Sequence, residues 1–284
     1  MKKPFLLFSI VLLMALLPVS VQFAQDQQTT KHNNLKLAFE FGMNAVGVQL
    51  EKPEQIRENR SSGYIYMDEY YEYGFFTEAN TIITKYIGVK PEFFIYKNLI
   101  GIASGIRFTM VSSDLVSDRN IFLWKVKEEG LNTEYVRIMD ISNKSYLLGI
   151  PLEVRFFPKR KELPFQHYVK LGASFNFRFH SENNINFRNK AMEKNYDDLI
   201  KKQLPKNKLF SSFIFAATGF KIGKFKEGKM IPWGNIEFQF PYILLTDKSF
   251  AFAGNSFDDV GFPGVGFQIS FQIPIGKNVP IGSN

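Results

Sequence analysis

A sustained alternation of apolar and polar residues over residues 145–179 constrains this chain more than anything else in it. Tyr146, Leu148, Ile150, Leu152, Val154 and Phe156 fall on one side, and Leu147, Gly149, Pro151, Glu153 and Arg155 on the other. After a short basic turn, Phe165, Val169, Leu171, Ala173, Phe175 and Phe177 share a side with His167. Gln166, Tyr168, Lys170, Gly172, Ser174, Asn176 and Arg178 share the opposite one. A period of two sends successive side chains to opposite faces of a strand, so the segment predicts a hairpin with one apolar and one polar face.

The same pattern recurs along the chain. Further strands are predicted over residues 35–44, 83–96, 99–111, 208–222, 231–245 and 260–273, which makes eight with the hairpin. The connections are residues 45–82, 97–98, 112–144, 158–164, 181–207, 223–229 and 246–259. They run long, short, long, short, long, short, moderate. Bacterial outer-membrane barrels have even strand numbers, short periplasmic turns and longer external loops. The expectation is therefore an all-β fold, an eight-stranded antiparallel up-and-down transmembrane β-barrel over residues 35–273. Pro91, Pro151 and Pro241 fall inside predicted strands, where each forfeits a ladder bond, so bulges or strand ends are expected there.

Which face points inward does not follow from alternation. A soluble lipocalin-like binding barrel would turn the apolar face in. Here the polar face is crowded with Gly, Ala and Ser beside a few charges, as a narrow lumen requires, and the apolar face is uniformly large, which suits lipid.

The ends of the chain agree with export. Residues 1–24 read as a secretory signal peptide: Lys2 and Lys3 lead an apolar run that Pro18 breaks, and Ala24 offers a small residue for cleavage. Residues 25–34 are a polar periplasmic lead-in, and residues 274–284 a Gly- and Pro-containing tail. No later apolar run approaches the roughly 20 residues of a membrane helix. The chain has no Cys, so it has no disulfide or thiolate metal site. Its net charge of +8 falls to +6 without Lys2 and Lys3. Export argues against nucleic acid as the partner of that positive charge.

The run Leu148-Gly149-Ile150-Pro151-Leu152-Glu153-Val154, a basic turn, and then Tyr168-Val169-Lys170-Leu171-Gly172-Ala173 resembles the PorT-like outer-membrane β-barrel domain family. The resemblance extends over residues 35–273, and the long first, second and third loops depart from it. It implies an outer-membrane barrel, with protein secretion among the roles of its members. It carries over no catalytic residues.

Within a narrow lumen the charges of the polar faces must neutralise one another, because a buried unpaired charge is costly. The candidate network is Glu40, Lys90, Glu92, Arg107, Glu153, Arg155, Lys170, Arg178 and Glu237, with Lys36 also on a polar face. It reads as a structural polar plug, with an ion path or proton relay as the functional alternative. The candidate external binding loop carries Tyr64, Tyr66, Tyr70, Tyr71 and Tyr73 among acidic residues. Residues 191–204 predict a short amphipathic helix in the third loop, either solvated or lying as a lid on the mouth.

Little here supports catalysis. A hydrolase site at the rim would need His180 with Asp247, Asp258 or Asp259. The Gly-rich stretch around Ser104 is not a nucleophile elbow, and residues 223–229 lack the Ser/Thr and the helix of a P-loop. Asp258 and Asp259 alone are a weak calcium site. No catalytic, cofactor-binding or metal residues are assigned, and no cofactor is implied.

The reading is a non-enzymatic outer-membrane protein: an anchor and interaction scaffold in outer-membrane lipid, linked to protein secretion or cell-surface binding. Its partners would be periplasmic or cell-surface proteins, met through the loops or the basic turns at residues 158–163 and 223–229. The alternatives are a rim-active hydrolase, a small-solute transporter and the lipocalin-like barrel.

Overall fold

The computed structural model describes residues 35–57, 79–95, 99–118, 120–129, 132–158, 165–226, 229–246, 248–254 and 263–274. The signal peptide, the lead-in, the tyrosine loop, most of the turn at residues 158–164, Asp247, Asp258, Asp259 and the tail beyond Pro274 lie outside them.

The fold is all-β, with one short helix. Ten strands follow in order: β1 (Leu35–Gln49), β2 (Ala79–Ile95), β3 (Ile100–Ser104), β4 (Ile106–Val116), β5 (Phe122–Glu129), β6 (Asn132–Phe156), β7 (Phe165–Phe187), β8 (Phe210–Lys226), β9 (Lys229–Leu244) and β10 (Gly264–Pro274). Helix α1 (Glu193–Gln203) lies between β7 and β8, preceded by a 3-10 turn at Lys190–Met192. All pairings are antiparallel, and the sheet returns on itself because β1 pairs with both β10 and β2.

Ten strands stand where eight were expected, for two reasons. The predicted third strand breaks at Gly105 into β3 and β4, which both lie between β2 and β6. A Cβ on Gly105 would overlap the β2 backbone at Val89 and Lys90. Pro91 and Pro151 each stand one residue beyond the last β3 pairings, Glu92 with Ala103 and Leu152 with Ser104. Pro241 sits in a bulge against both β8 and β10. The second extra strand corrects the expected loop over residues 112–144. That stretch holds the end of β4, all of β5 and the start of β6; β5 pairs with β6 along its length, and its Trp124 bridges Ile56. The third connection is shortened likewise, because β7 runs on to Phe187.

Side-chain direction divides the ring into two regions. On the side of the short turns, outward positions are apolar and inward ones polar. On β6, Leu148, Ile150 and Leu152 are about half exposed while Glu153 and Arg155 are buried. Phe41, Ile87, Phe108, Phe177, Phe238 and Phe267 continue the apolar exterior. Toward the other end the order reverses. Outward positions there include Ser112, Asp114, Lys144, Glu182, Asn184 and Asn186, with Val116 and Met139 as apolar exceptions. The interior is an apolar core of Leu115, Phe122, Trp124, Val126, Val136, Ile138, Ile141, Ile185 and Phe187.

This second region is a cap. Helix α1 closes it with Ile200 and Leu204 in the core, and Gln203 accepts a 2.7 Å hydrogen bond from Trp124 Nε1. The amphipathic helix was legible, and it is docked rather than solvated. The stretch between β9 and β10 also folds inward. Phe250 joins an apolar layer with Val46, Val48, Ile82, Val111, Leu147, Phe213 and Leu244, and Phe252 joins the cap core. Its backbone is tied to the rim, with Gly254 N donating to Gln49 O at 2.9 Å and Ser113 Oγ to Ala251 O.

Candidate functional site

Inward residues from seven strands meet below the Phe250 layer. Each follows from the period of two: Glu40 alternates with Phe39 and Phe41, Glu153 with Leu152 and Val154, and Glu237 with Ile236 and Phe238. Four carboxylates (Glu40, Glu92, Glu153, Glu237) and four cations (Lys90, Arg107, Arg155, Lys170) gather there, all 0–1% exposed, so their formal charges cancel.

Glu153 is the hub. It receives Arg107 Nη2 at 3.0 Å, Lys170 Nζ at 3.3 Å and the Lys90 ammonium. Glu40 accepts from Lys90 Nζ and Arg107 Nε, both at 2.7 Å. Arg155 spans Glu92 at 2.7 Å and Glu237 at 2.8 Å, and Lys170 also reaches Glu237. Neutral groups complete the set. Tyr168 OH donates to Glu237 at 2.6 Å, Gln272 donates to Glu92, and the Arg107 guanidinium lies 4.2 Å from the centre of the Tyr86 ring. Above it, Tyr86 OH donates to Gln268 at 2.9 Å and Gln239 donates to Tyr86 OH at 3.0 Å. Below it, Phe94, Phe157 and Tyr168 form an aromatic floor.

The small residues of the polar face make this packing possible. Gly42 pairs with Tyr86, Gly88 with Glu40 and Gly172 with Phe215, and a Cβ at any of the three would press into its partner's side chain. The interior is thus filled by side chains, with an aromatic floor, an ionic layer, an apolar layer and the cap core stacked in turn.

The structure brings together eight of the nine charges read from the sequence as a lumen network. Arg178 is the correction. It lies on β7 eight residues beyond Lys170, about 26 Å along an extended strand, and forms no ion pair among the described residues. Lys36 sits opposite Glu92 in the register, its Nζ 4.7 Å from the centre of the Phe94 ring. The tyrosines at 64, 66, 70, 71 and 73 lie outside the described residues. His180 faces outward, its ring 5.6 Å from that of Tyr146, and His167 approaches Thr218 Oγ1 at 2.7 Å. Among the described residues no group of three His, Asp or Glu could hold a metal ion.

Sequence reasoning missed Tyr86 and Gln272 as partners of the charges, and Gln239 and Gln268 as partners of Tyr86. Their signal was an inward register position opposite a Gly, an Ala or a charge, which appears only once the strands are paired. It also missed the cap core. There the signal was present, in the alternation of Phe122, Trp124 and Val126 with Lys125 and Lys127.

No family model matches the chain, and no curated protein matches it. Among solved structures it is similar to the outer-membrane expressed OmpT of Vibrio cholerae, at 8% identity over 87% of this chain and 100% of that one, with a TM-score of 0.17. So slight a likeness carries no argument about fold or function.

Proposed function

We propose that this chain is an eight-stranded transmembrane β-barrel of a bacterial outer membrane. In this reading it is a non-enzymatic anchor, plugged by its ionic layer, that holds a folded cap at the cell surface for partner proteins. Counting β3 and β4 as one strand and leaving β5 in the cap gives the eight. The observation that carries the reading is the reversal of polarity along single strands. A water-soluble protein rarely exposes a contiguous apolar patch beyond a few hundred Å², and here the apolar exterior runs around the ring.

The dimensions agree. From Tyr146 to Phe156 the outward face of β6 covers ten steps, about 33 Å along the strand. At a tilt of about 40° that is about 25 Å of height, the apolar band of outer-membrane barrels. Aromatic rings gather at both edges of the band: Phe108, Tyr146, Phe177, Phe179 and Phe210 above, and Trp233, Phe271, His167 and Phe220 below.

The four-against-four ionic layer favours a plug over a conduit. Among the described residues every charge in it lies within ion-pair distance of an opposite charge. The resemblance to PorT-like proteins makes service to a secretion apparatus one form of the scaffold role. Outer-membrane fractions run unboiled and boiled test the architecture: a barrel resists the detergent and shifts on boiling. Recovery in the soluble periplasm without a shift would overturn it. Stable nanosiemens conductance steps from pure protein in planar bilayers would overturn the plug.

A further inference from the structure

Arg178 is an inward cation outside the ionic layer. It is 8% exposed, its Nη2 is buried without a hydrogen-bond partner, and no carboxylate pairs with it among the described residues. Its backbone is fixed, with the N–H donating to Leu209 O at 2.8 Å where β8 meets β7. Ser211, two residues further along β8, is 1% exposed, and its Oγ is also unbonded. Ser211 pairs with Asn176, so Arg178 and Ser211 are diagonal neighbours on the inner face, with Cβ atoms about 7–8 Å apart.

The polar groups around these two are satisfied by one another. Asn143 donates to Ser181 Oγ at 3.0 Å and to Asn183 Oδ1 at 2.6 Å, and Ser145 Oγ donates to Asn143 Oδ1 at 3.1 Å. Ser174 Oγ donates to Asn176 Oδ1 at 2.9 Å. Between these clusters Arg178 Nη2 and Ser211 Oγ are buried without a hydrogen-bond partner among the described residues.

We infer that Arg178 and Ser211 hold an oxyanion of the phosphate class. A guanidinium offers paired N–H groups that match two oxygens of one tetrahedral anion, and a hydroxyl can donate to a third. An unpaired charge buried at this depth is costly, and a bound anion removes that cost. The site lies level with Phe177 and Phe179, which point outward at the upper edge of the apolar band. Either a lipid headgroup phosphate or free phosphate from outside can supply the anion at that level.

The test uses the full-length protein in detergent. Its thermal unfolding is followed by circular dichroism in inorganic phosphate and in potassium chloride of equal ionic strength. Native mass spectrometry then asks whether phosphate-bearing lipid stays bound. The expected result is a phosphate-specific rise of about 3 °C at tenfold saturation, lost in Arg178→Met and reduced in Ser211→Ala. Lipid retained by the wild type and missing from Arg178→Met identifies the headgroup as the source. A phosphate response without retained lipid identifies the free ion.

In phosphate-free solution and with no lipid retained, Arg178→Met is at least as heat-resistant as the wild type, because it removes an uncompensated charge; a purely structural arginine would leave it weaker. The site is refuted if the wild type shows neither a phosphate response nor bound lipid, or if both variants respond as the wild type does. Only the lipid source rests on the membrane reading. Absence of the boiled-gel shift sinks that reading, whereas absence of both the phosphate response and retained lipid, with the shift intact, sinks this site.

Discussion

Along β6 the same strand obeys opposite rules at its two ends. Near the short turns Leu148, Ile150 and Leu152 face out while Glu153 and Arg155 are buried; near the cap Asp140 and Lys144 lie outward while Val136, Ile138 and Ile141 are buried. Backbone, ladder and period are common to both ends, so the strand itself cannot be the cause. What differs is the surroundings each end must satisfy. In the proposed membrane reading, lipid takes apolar side chains and leaves the charges to cancel inside, whereas water takes the charges and leaves apolar groups to pack. The two cores then differ in kind. The ionic layer is held by partners that each need one another, while the cap core is held by area and shape.

That difference predicts the largest effect at the hub of the ionic layer. Glu153→Ala leaves Lys90, Arg107 and Lys170 short of a carboxylate in the ring interior. Removing one partner of a buried pair costs about 3–5 kcal/mol, and here several pairs break together. The expected outcome is loss of the heat-modifiable form. A Glu153→Ala protein that still shifts on boiling, with an unchanged melting point, would show that the charges are solvated rather than mutually held.

The counterpart in the cap is Trp124→Ala. Trp124 is fully buried, and its truncation costs about 3–5 kcal/mol, drawn from the cap core alone. Limited proteolysis should then cut the cap faster while the gel shift persists. Simultaneous loss of both would mean that cap and ring form one cooperative unit, and the contrast between the two regions would fail.

The exterior gives a third test. Ile150→Lys places an ammonium on the apolar band at a cost of about 2–4 kcal/mol in a bilayer. Asn184→Lys, on the cap exterior, should stay within about 0.5 kcal/mol. Equal effects in outer-membrane assembly assays would remove the membrane from the account.

These contrasts also mark how far the sequence could be read. Strand positions around the ring were legible because the period of two is long and regular from Tyr146 to Phe177. Eight of the nine network charges were legible too, because each alternates with a large apolar neighbour. Arg178 shares that alternation, and only the register, which places it far above Lys170, separates it from them. The cap was missed because the rule of apolar outside and polar inside was carried past the level where it reverses. Trp124 and Val126 alternate as cleanly as Leu148 and Ile150, and alternation does not say which side is wet. The break at Gly105 was hidden for another reason: it comes from the close approach of β2, a neighbour distant in sequence.

The smallest effect concerns pH, and it belongs to the cap. Asp114 lies on β4 beyond the apolar band, paired in register with Ser142. Partial burial, and then the nearby Asp140, raise its carboxyl above the ordinary carboxylate range, and Lys144 pulls it back only in part. The folded cap therefore binds this proton more tightly than the unfolded chain does. Its stabilising contribution is complete below the ordinary carboxylate value and is lost as pH rises through the raised folded value. Protection of cap amides in β4 and β6, relative to intrinsic exchange at each pH, should rise on mild acidification, while that of the ring amides around Glu153 stays unchanged. Because Asp114 is partly solvated the effect is small, and salt weakens it. Asp114→Asn should remove the dependence and leave the cap slightly more protected at neutral pH. If the dependence persists in that variant, Asp114 is not its source; if it spreads to the ring amides, the two regions do not respond separately to the water around them.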